Sequence, residues 1–437
     1  MNNKTTEGAK RNLTRGLALG MLFAVAACDT TVTNPGPISS EFLDVPAAQA
    51  AITNGAGRGL SDALNYIAYT GAAISREVHP SGSTGSFGIT PFQQEGQLRF
   101  DEVGSHWSQA HRARVLAKEG IARIQGMDAA DQDQSILAQL NLYAGYISRM
   151  MGENMCNSVI DGGAAGSADV HLNDAVAYFN QAASLGSGDV ATAAVAGRAS
   201  AYAQLGNWSS AVADAATVPS GFSYSQKYYD IGDDNQSNRI HVATKAIPYK
   251  AHSQIFTWIA EYNNADADGN GIYDDDPRVP WKVGGENGDA ASACCGLIAW
   301  NPQQKHNNDD SPIELSSYEE MQLLIAEDKL RNGNDMAGAV AIIDALRTAA
   351  GVATESPADM AAAWTYYKRE HAIEMWLEGR RLPAMRRWND AGDPETHLQP
   401  LEQIGDGSTS TGAHLSTRSF CFPIPESEID TNPNISG

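Results

Sequence analysis

The chain has 437 residues, of which 42% are hydrophobic and 19% charged, and its formal net charge is −22 at pH 7. A strongly acidic chain repels nucleic acid and anionic lipid, so neither nucleic-acid binding nor electrostatic attachment to a membrane is expected. The length would allow two or three domains, but the helical pairs described below favour one continuous domain.

The first 27 residues have the pattern of a secretory signal peptide. Four basic residues begin it: Lys4, Lys10, Arg11 and Arg15. An apolar run, Leu17–Ala27, follows and is well short of the roughly 20 residues that span a bilayer as a helix. The run ends in Val-Ala-Ala-Cys, which resembles a lipobox. We therefore predict that residues 1–27 are removed and that Cys28 carries a lipid; an ordinary secretory signal is the alternative.

Residues 28–40 are predicted to be a tether between the membrane anchor and a folded domain of residues 41–437. The segment after Cys28 is polar and contains Pro35 and Pro37, as a flexible linker does. Outside the signal peptide, no segment is a candidate for spanning a membrane. The predicted arrangement is therefore a folded domain held to a membrane by the lipid on Cys28.

Most of the predicted domain has the apolar spacing of helices, and these helices come in pairs. The predicted helices are His106–Met127, Ile136–Met155, Asp174–Leu185, Thr192–Leu205, Ser209–Thr217, Tyr318–Arg331, Met336–Ala349 and Met360–Leu377. Small residues such as Ala199 and Ala211 would let two helices approach closely, so the pair on either side of Gly206 resembles a tetratricopeptide unit. The predicted fold class is all-α, built from tetratricopeptide-like helical hairpins.

A segment of about residues 218–312 interrupts the helical pairs and is rich in Gly, Asn, Asp, Ser and aromatic residues. Loops of this length are usually functional or disordered, and the aromatic content argues against disorder. We call residues 218–312 the insertion and predict that it carries the binding site.

The insertion contains the first part of a calcium-binding loop. Oxygen-bearing side chains stand at positions 1, 3, 5 and 9, glycine stands at position 6, and Ile272 at position 7 would offer its carbonyl oxygen. The predicted calcium ligands are Asp266, Asp268, Asn270, Ile272 and Asp274. Position 12 is Pro277 and not Glu, so Asp275 or Asp276 would have to substitute for the bidentate ligand. A solvated acidic turn is the alternative.

Aromatic residues in the insertion are candidates for packing against the apolar face of a sugar. We predict that Trp281 and Trp300 form the ligand platform with Tyr273 behind them, and that Phe87, in the loop of residues 77–94, completes its rim. Further aromatic residues lie upstream: Phe222, Tyr224, Tyr228 and Tyr229. The alternative is that these tryptophans fill the core of their own loop.

The four cysteines after Cys28 can oxidise in an exported chain. They are Cys156, Cys294, Cys295 and Cys421, and the sequence does not choose among their three pairings. We favour Cys156 with Cys421, because a bridge between the adjacent Cys294 and Cys295 would be strained. The adjacent pair would then be either a bridged turn or two thiols. Zinc is less favoured, since no Cys-x-x-Cys spacing is present.

Glu370, Glu374 and Glu378 recur every four residues and therefore share one helix face. Two neighbouring acids can serve as the acid and base of a glycosidase. Ion-pair networks mimic such sites, however, so we predict salt bridges to Arg369, Arg381 or Arg387. The scattered histidines show no spacing for a catalytic triad. The protein is therefore not expected to be an enzyme.

Several motifs together resemble the SusD/RagB family. They are Glu-Met-Trp-Leu-Glu-Gly-Arg-Arg at 374–381 with Met-Arg-Arg-Trp at 385–388, Pro-Ile-Pro at 423–425 with Asn-Pro-Asn at 432–434, the Leu-Leu-Ile-Ala-Glu of 323–327, and Asp-Pro-Arg at 276–278. Ala384 departs from the pattern, since the family usually has Asp there.

The resemblance implies a SusD-like helical domain that binds a nutrient, an oligosaccharide or another bulky compound such as a peptide. It also implies a location at the outer membrane, facing the cell surface, and delivery of that nutrient to a SusC-like TonB-dependent transporter of the same membrane. Two alternatives are a tetratricopeptide scaffold that binds a protein and a glycoside hydrolase within the insertion.

Overall fold

The structure, a computed structural model, describes residues 40–232, 236–245, 249–266, 268–289, 298–393, 415 and 417–435. Contacts between Cα atoms divide the chain into two units, Met1–Val45 and Pro46–Gly437. The described part of the first unit contains a short 3-10 turn, Ser40–Leu43. The predicted anchor Cys28 and the adjacent Cys294 and Cys295 lie outside the described residues.

The described part of the second unit contains fourteen α-helices, here labelled in chain order. They are α1 Gln49–Ile74, α2 Pro91–Gln94, α3 Gly104–Gln125, α4 Gln134–Asn154, α5 Asp169–Leu185, α6 Gly188–Gln204, α7 Trp208–Ala215, α8 Arg239–Lys245, α9 Trp258–Tyr262, α10 Tyr318–Arg331, α11 Met336–Ala349, α12 Met360–Glu374, α13 Arg381–Ala391 and α14 Glu426–Thr431. None of the helices within these ranges is both long and apolar enough to cross a membrane.

Four small antiparallel sheets of two strands each join the loops of the described residues. Their strands are β1 His79–Pro80 with β5 His252–Ser253, β2 Asn157–Val159 with β3 Ala165–Ser167, β4 Ser223–Gln226 with β8 Ile313–Ser317, and β6 Ile272–Tyr273 with β7 Trp281–Lys282. The pairing of β4 with β8 brings the two ends of the insertion together. The insertion thus leaves and rejoins the helical domain at one place.

The predicted helical pairs are confirmed, and so is the all-α fold class. α5 packs on both α4 and α6, α6 packs on α7, and α10 packs on α11 and α12. Side-chain caps mark where several of these helices begin: the carboxylate of Asp133 accepts hydrogen bonds from two backbone amides of α4, and Ser317 and Asp335 cap α10 and α11. A cap of this kind satisfies amides that have no partner inside the helix.

The longest helix, α1, was not predicted from the sequence, although it packs on α3, α4 and α8 at the centre of the domain. Its glycines weaken the helical pattern but allow close packing. A Cβ on Gly57 would lie 2.9 Å from the ring of Tyr143, and a Cβ on Gly59 would lie 3.2 Å from the Cα of Ala113. Glycine at these two positions therefore allows α4 and α3 to approach α1 closely.

The predicted disulfide between Cys156 and Cys421 is confirmed, with a Cα–Cα distance of 5.0 Å. Beside it, the amide of Cys156 donates to the carbonyl of Phe422 at 2.9 Å, and the amide of Phe422 donates to Asn154 at 2.8 Å. The Phe422 ring is fully buried in the main core. The C-terminal segment is thereby fixed to the end of α4.

Buried ion pairs join the C-terminal helices. The carboxylate of Glu327 on α10 accepts hydrogen bonds from Arg331 and Arg387 at 2.7 and 2.6 Å, and from the hydroxyl of Tyr367 at 2.6 Å. The indole of Trp388 donates to the same carboxylate at 3.2 Å. Glu327 therefore connects α10, α12 and α13 through one buried charge.

Candidate functional site

The two tryptophans of the predicted ligand platform are buried. Trp281 is 6% exposed, its ring stacks on Tyr273 at 4.2 Å, and its indole donates to the carbonyl of Asn263 at 2.8 Å. Trp300 is 7% exposed and donates to the carbonyl of Thr244 at 2.9 Å. A sugar packs on an exposed ring face. The positions of both indoles favour the alternative interpretation, in which they fill the insertion.

Phe87, the predicted rim residue, lies in a 3-10 turn, Thr84–Phe87, and is 9% exposed. Its ring packs edge-on against Tyr249 of the insertion, with the ring centroids 5.3 Å apart. Tyr249 itself is 42% exposed. Sequence reasoning did not single out Tyr249, which is the accessible aromatic residue of this contact.

The predicted calcium loop is ordered by its own side chains. The carboxylate of Asp266 accepts hydrogen bonds from the amides of Gly269, Asn270 and Gly271 at 2.8, 3.1 and 2.9 Å. The Asn270 side chain accepts from the amide of Ile272 at 2.7 Å. Among the residues that the structure describes, no three His, Cys, Asp or Glu side chains are placed to hold a metal ion.

Asp276, considered from sequence as the substitute ligand, is held elsewhere. Its carboxylate accepts from Arg278 at 2.6 Å and from the hydroxyl of Tyr262 at 2.8 Å. Of the two substitutes for the bidentate ligand, Asp275 is therefore left, together with Asp266, Asp268, Asn270, Asp274 and the carbonyl of Ile272.

Calcium binding at this loop stays a prediction. We expect added CaCl2 to raise the melting temperature of the protein, because a ligand of the folded state stabilises it by about 1.4 kcal/mol at ten times its Kd. The Asp266→Asn variant should lose this rise, since a carboxylate is the main ligand at position 1. Thermal melts in CaCl2 and in chelator measure the effect. The same melting curve in both solutions would contradict the site.

The recurring glutamates form ion pairs, as predicted, but with different partners. Arg278 donates to both Glu370 and Glu374, and Arg347 donates to Glu370 at 3.2 Å. Lys305 pairs with Glu378 at 2.7 Å. The prediction of Arg369 and Arg387 as partners was wrong, because these residues contact Glu355 and Glu327 instead.

Burial raises the pKa of Glu374 to about 7, against the opposing charge of Arg278. Its side chain is 10% exposed and that of Glu370 is fully buried. Their carboxylates and the Arg278 guanidinium connect the insertion to α12. The cluster therefore acts in the packing of the insertion on the helical domain.

A cleft of about 590 Å³ lies where α1, α4 and the start of α6 meet β4. Three tyrosines line it: Tyr143 from α4, Tyr224 from β4, and Tyr229 from the segment after β4. Tyr229 is 53% exposed and the other two are half-buried. We call this cavity the tyrosine cleft.

Hydrogen bonds fix the inner tyrosines of the cleft. Gln139 donates to the hydroxyl of Tyr224 at 2.8 Å, and the Tyr224 ring stacks parallel to the buried ring of Tyr146. Burial raises the pKa of Tyr143 to about 12, above an ordinary value at which the hydroxyl is already protonated and able to donate a hydrogen bond at neutral pH. The cleft thus offers ring faces held in one orientation.

Polar side chains edge the same cleft. Arg58 and Asn54 of α1, Asp189 at the start of α6 and Lys227 after β4 contribute donors and acceptors. Aromatic faces with convergent polar groups are the ordinary composition of a ligand site. The aromatic cluster of residues 222–229 was the part of the sequence that indicated this cleft. Tyr143 lies far away in the sequence and was not associated with that cluster.

The C-terminal part of the chain, residues 301–436, matches the model of the SusD family. No curated protein sequence matches the chain. Its fold is similar to that of several solved structures. One is a SusD-like protein from Bacteroides fragilis, 12% identical, with a TM-score of 0.64, where the match covers 91% of this chain and 97% of the other.

The names of two further solved structures state what those proteins bind. A SusD-like carbohydrate binding protein from Bacteroides vulgatus is 14% identical, with a TM-score of 0.59 and coverage of 90% of this chain and 97% of that one. Surface glycan-binding protein A from Bacteroides uniformis is 13% identical, with a TM-score of 0.60 and coverage of 88% and 98%. At these identities the likeness concerns the fold.

Proposed function

We propose that this chain, whose residues 301–436 match the model of the SusD family and whose fold is SusD-like, binds an oligosaccharide at the cell surface. The main support for this proposal is the SusD-like fold, which extends over about nine-tenths of the chain. Two proteins that share this fold have names that describe carbohydrate or glycan binding. The tyrosine cleft supports it with a surface of the right composition. We place the ligand there, because the predicted tryptophans are buried.

The physical argument for a sugar is the combination of ring faces and fixed polar groups. The axial C–H groups of a sugar ring pack against an aromatic face, and its hydroxyls accept hydrogen bonds from amides and guanidiniums and donate them to carboxylates. The tyrosine cleft supplies three tyrosines together with Asn54, Arg58 and Asp189 at its edge. Its volume of about 590 Å³ is within the range of small-molecule sites.

Tyr229→Ala is expected to weaken oligosaccharide binding by about 1–3 kcal/mol, as loss of an aromatic anchor does. The melting temperature should change little, because the side chain is 53% exposed. Titration calorimetry of the full-length protein against a panel of oligosaccharides and peptides would first identify a ligand and then compare the variants.

Tyr249→Ala is the matched control, since it removes an exposed tyrosine that lies outside the cleft, beside Phe87. It should leave the affinity unchanged. If Tyr249→Ala weakens binding and Tyr229→Ala does not, the site lies at the predicted rim around Phe87. Binding of peptides without binding of any saccharide would contradict the proposed ligand class.

Two finer proposals come from the family resemblance. The bound nutrient would be passed to a SusC-like TonB-dependent transporter, and the protein would be held at the outer membrane by lipid on Cys28. The lipobox-like Val-Ala-Ala-Cys supports the anchor. Recovery of a large barrel transporter with the protein from cross-linked outer membranes would support the partnership.

A further inference from the structure

A second cavity, of about 150 Å³, adjoins the tyrosine cleft, since Arg58 lines both. Its other charged lining residues are Arg112 of α3, Arg239 of α8 and Asp62 of α1. Tyr66 and Gln109 also line it. We call this cavity the arginine pocket.

The charge of the arginine pocket is opposite to that of the whole protein. The chain has 52 acidic and 30 basic residues, yet three arginines and one carboxylate line this cavity. Asp62 pairs with Arg58 at 2.9 Å, within α1. The charges of Arg112 and Arg239 are therefore not balanced by any carboxylate in the lining, and the pocket has a local positive potential.

Arg239 is held in place before any ligand binds. Its guanidinium donates to the carbonyl of Phe87 through Nε at 3.1 Å and lies 4.6 Å from the centre of the Tyr66 ring. Its backbone amide donates to the buried side chain of Asn65 at 3.0 Å. An arginine ordered in this way loses little side-chain entropy when it binds an anion.

The effect of this charge extends into the core. Burial, with a further contribution from the charge of Arg239, lowers the pKa of the neighbouring His106 to about 4. His106 is therefore neutral at physiological pH and adds no charge to the pocket. The positive potential there belongs to the arginines.

We propose that the arginine pocket binds an anionic group on the oligosaccharide while neighbouring sugar rings occupy the tyrosine cleft. The ligand class is thus an acidic glycan, in which the anion is the carboxylate of a uronic acid or a sulfate ester. A guanidinium presents two parallel N–H donors to either oxyanion. Arg58, which lines both cavities, would contact the sugar that links them. This inference rests on the proposed function, oligosaccharide binding.

Three tetrasaccharides test the inference by titration of the full-length protein: a neutral galactan, a galacturonan and a sulfated galactan. We expect at least one acidic probe to bind about tenfold more tightly than the neutral one, because a hydrogen bond to a charged group contributes more than a neutral one. Added NaCl should weaken that binding selectively, since salt screens the charges. The preferred acidic probe distinguishes carboxylate from sulfate.

Arg112→Gln should lower affinity for the preferred acidic probe about tenfold and leave the neutral probe unaffected. Arg123→Gln is the matched control, because it removes the same charge from the same helix about 16 Å further along its axis. Its effect on affinity for either probe should be negligible. Arg112 is exposed, so the variant is expected to fold normally.

Equal affinity for neutral and acidic probes, with no effect of Arg112→Gln, would overturn the acidic-ligand inference and leave the proposed function intact. The inference is also overturned if Arg123→Gln weakens acidic binding as much as Arg112→Gln, since a general loss of positive charge would then explain both. No binding of any saccharide contradicts the proposed function itself.

Discussion

Replacing Glu327 with Gln is expected to lower the free energy of unfolding by about 3–5 kcal/mol, the usual result of removing one partner of a buried ion pair. The carboxylate is fully buried between Arg331 and Arg387. An amide of the same size can still accept hydrogen bonds, but it leaves the guanidinium of Arg387 without its counter-charge, while Arg331 keeps its pair with Asp393. Chemical denaturation followed by circular dichroism measures the difference.

The free energy of unfolding measured at acid pH gives a second test of the Glu327 carboxylate. Burial alone would raise the pKa of Glu327, but Arg387, Arg331 and the Tyr367 hydroxyl outweigh burial and lower the pKa from 4.5 to about 2. The unfolded chain thus takes up this proton first, at higher pH. The stabilisation is complete above pH 4.5 and is lost as the pH falls towards 2.

The difference in stability between wild type and Glu327→Gln should therefore narrow over that acid range. Glu119→Gln is the matched control, since it makes the same change at an exposed position on α3. Its effect should be within about 0.5 kcal/mol, as for most surface substitutions. A Glu327→Gln variant as stable as wild type at neutral pH would show that the ion pairs do not join the C-terminal helices.

Sequence reasoning located the helices best where polar residues mark their starts. α10 and α11 begin and end at the predicted residues, because Ser317 and Asp335 supply caps and the apolar spacing is regular. α1 was missed because Gly55, Gly57 and Gly59 lower intrinsic helix propensity. In the folded domain the absence of side chains at Gly57 and Gly59 allows close packing that compensates for that propensity. No pattern within α1 alone contains this information.

The site was harder to predict, because contacts between distant segments create it. The sequence placed Tyr224 and Tyr229 in an aromatic cluster, but only the pairing of β4 with β8 brings that cluster onto α4. Tyr224 and Gln139 are 85 residues apart and yet share a hydrogen bond. The sequence also showed that the insertion is rich in aromatic residues. It did not show which rings face inward, because loops have no periodicity that separates buried from exposed positions.

Trp281→Ala is expected to lower the free energy of unfolding by about 3–5 kcal/mol, as truncation of a buried tryptophan does. The change removes a ring stacked 4.2 Å from Tyr273 and leaves the carbonyl of Asn263 without its indole donor. Binding per folded molecule should be unchanged, because only 6% of the side chain is exposed.

Thermal melts and titration on each variant separate a core role from a ligand role for Trp281. Trp281→Phe is the control, since Phe preserves a ring beside Tyr273 and loses the indole N–H; it should cost about 1–2 kcal/mol, near the value of one buried hydrogen bond. A graded loss of stability from Phe to Ala, with affinity preserved, would establish that this tryptophan packs β7 against β6. A variant Trp281→Ala that melts at the wild-type temperature but no longer binds oligosaccharide would instead restore Trp281, with Tyr273 behind it, as the ligand platform that the sequence predicted. The tyrosine cleft would then not be the primary site. Loss of one buried indole could weaken binding in the cleft only by destabilising the insertion, and an unchanged melting temperature would exclude that.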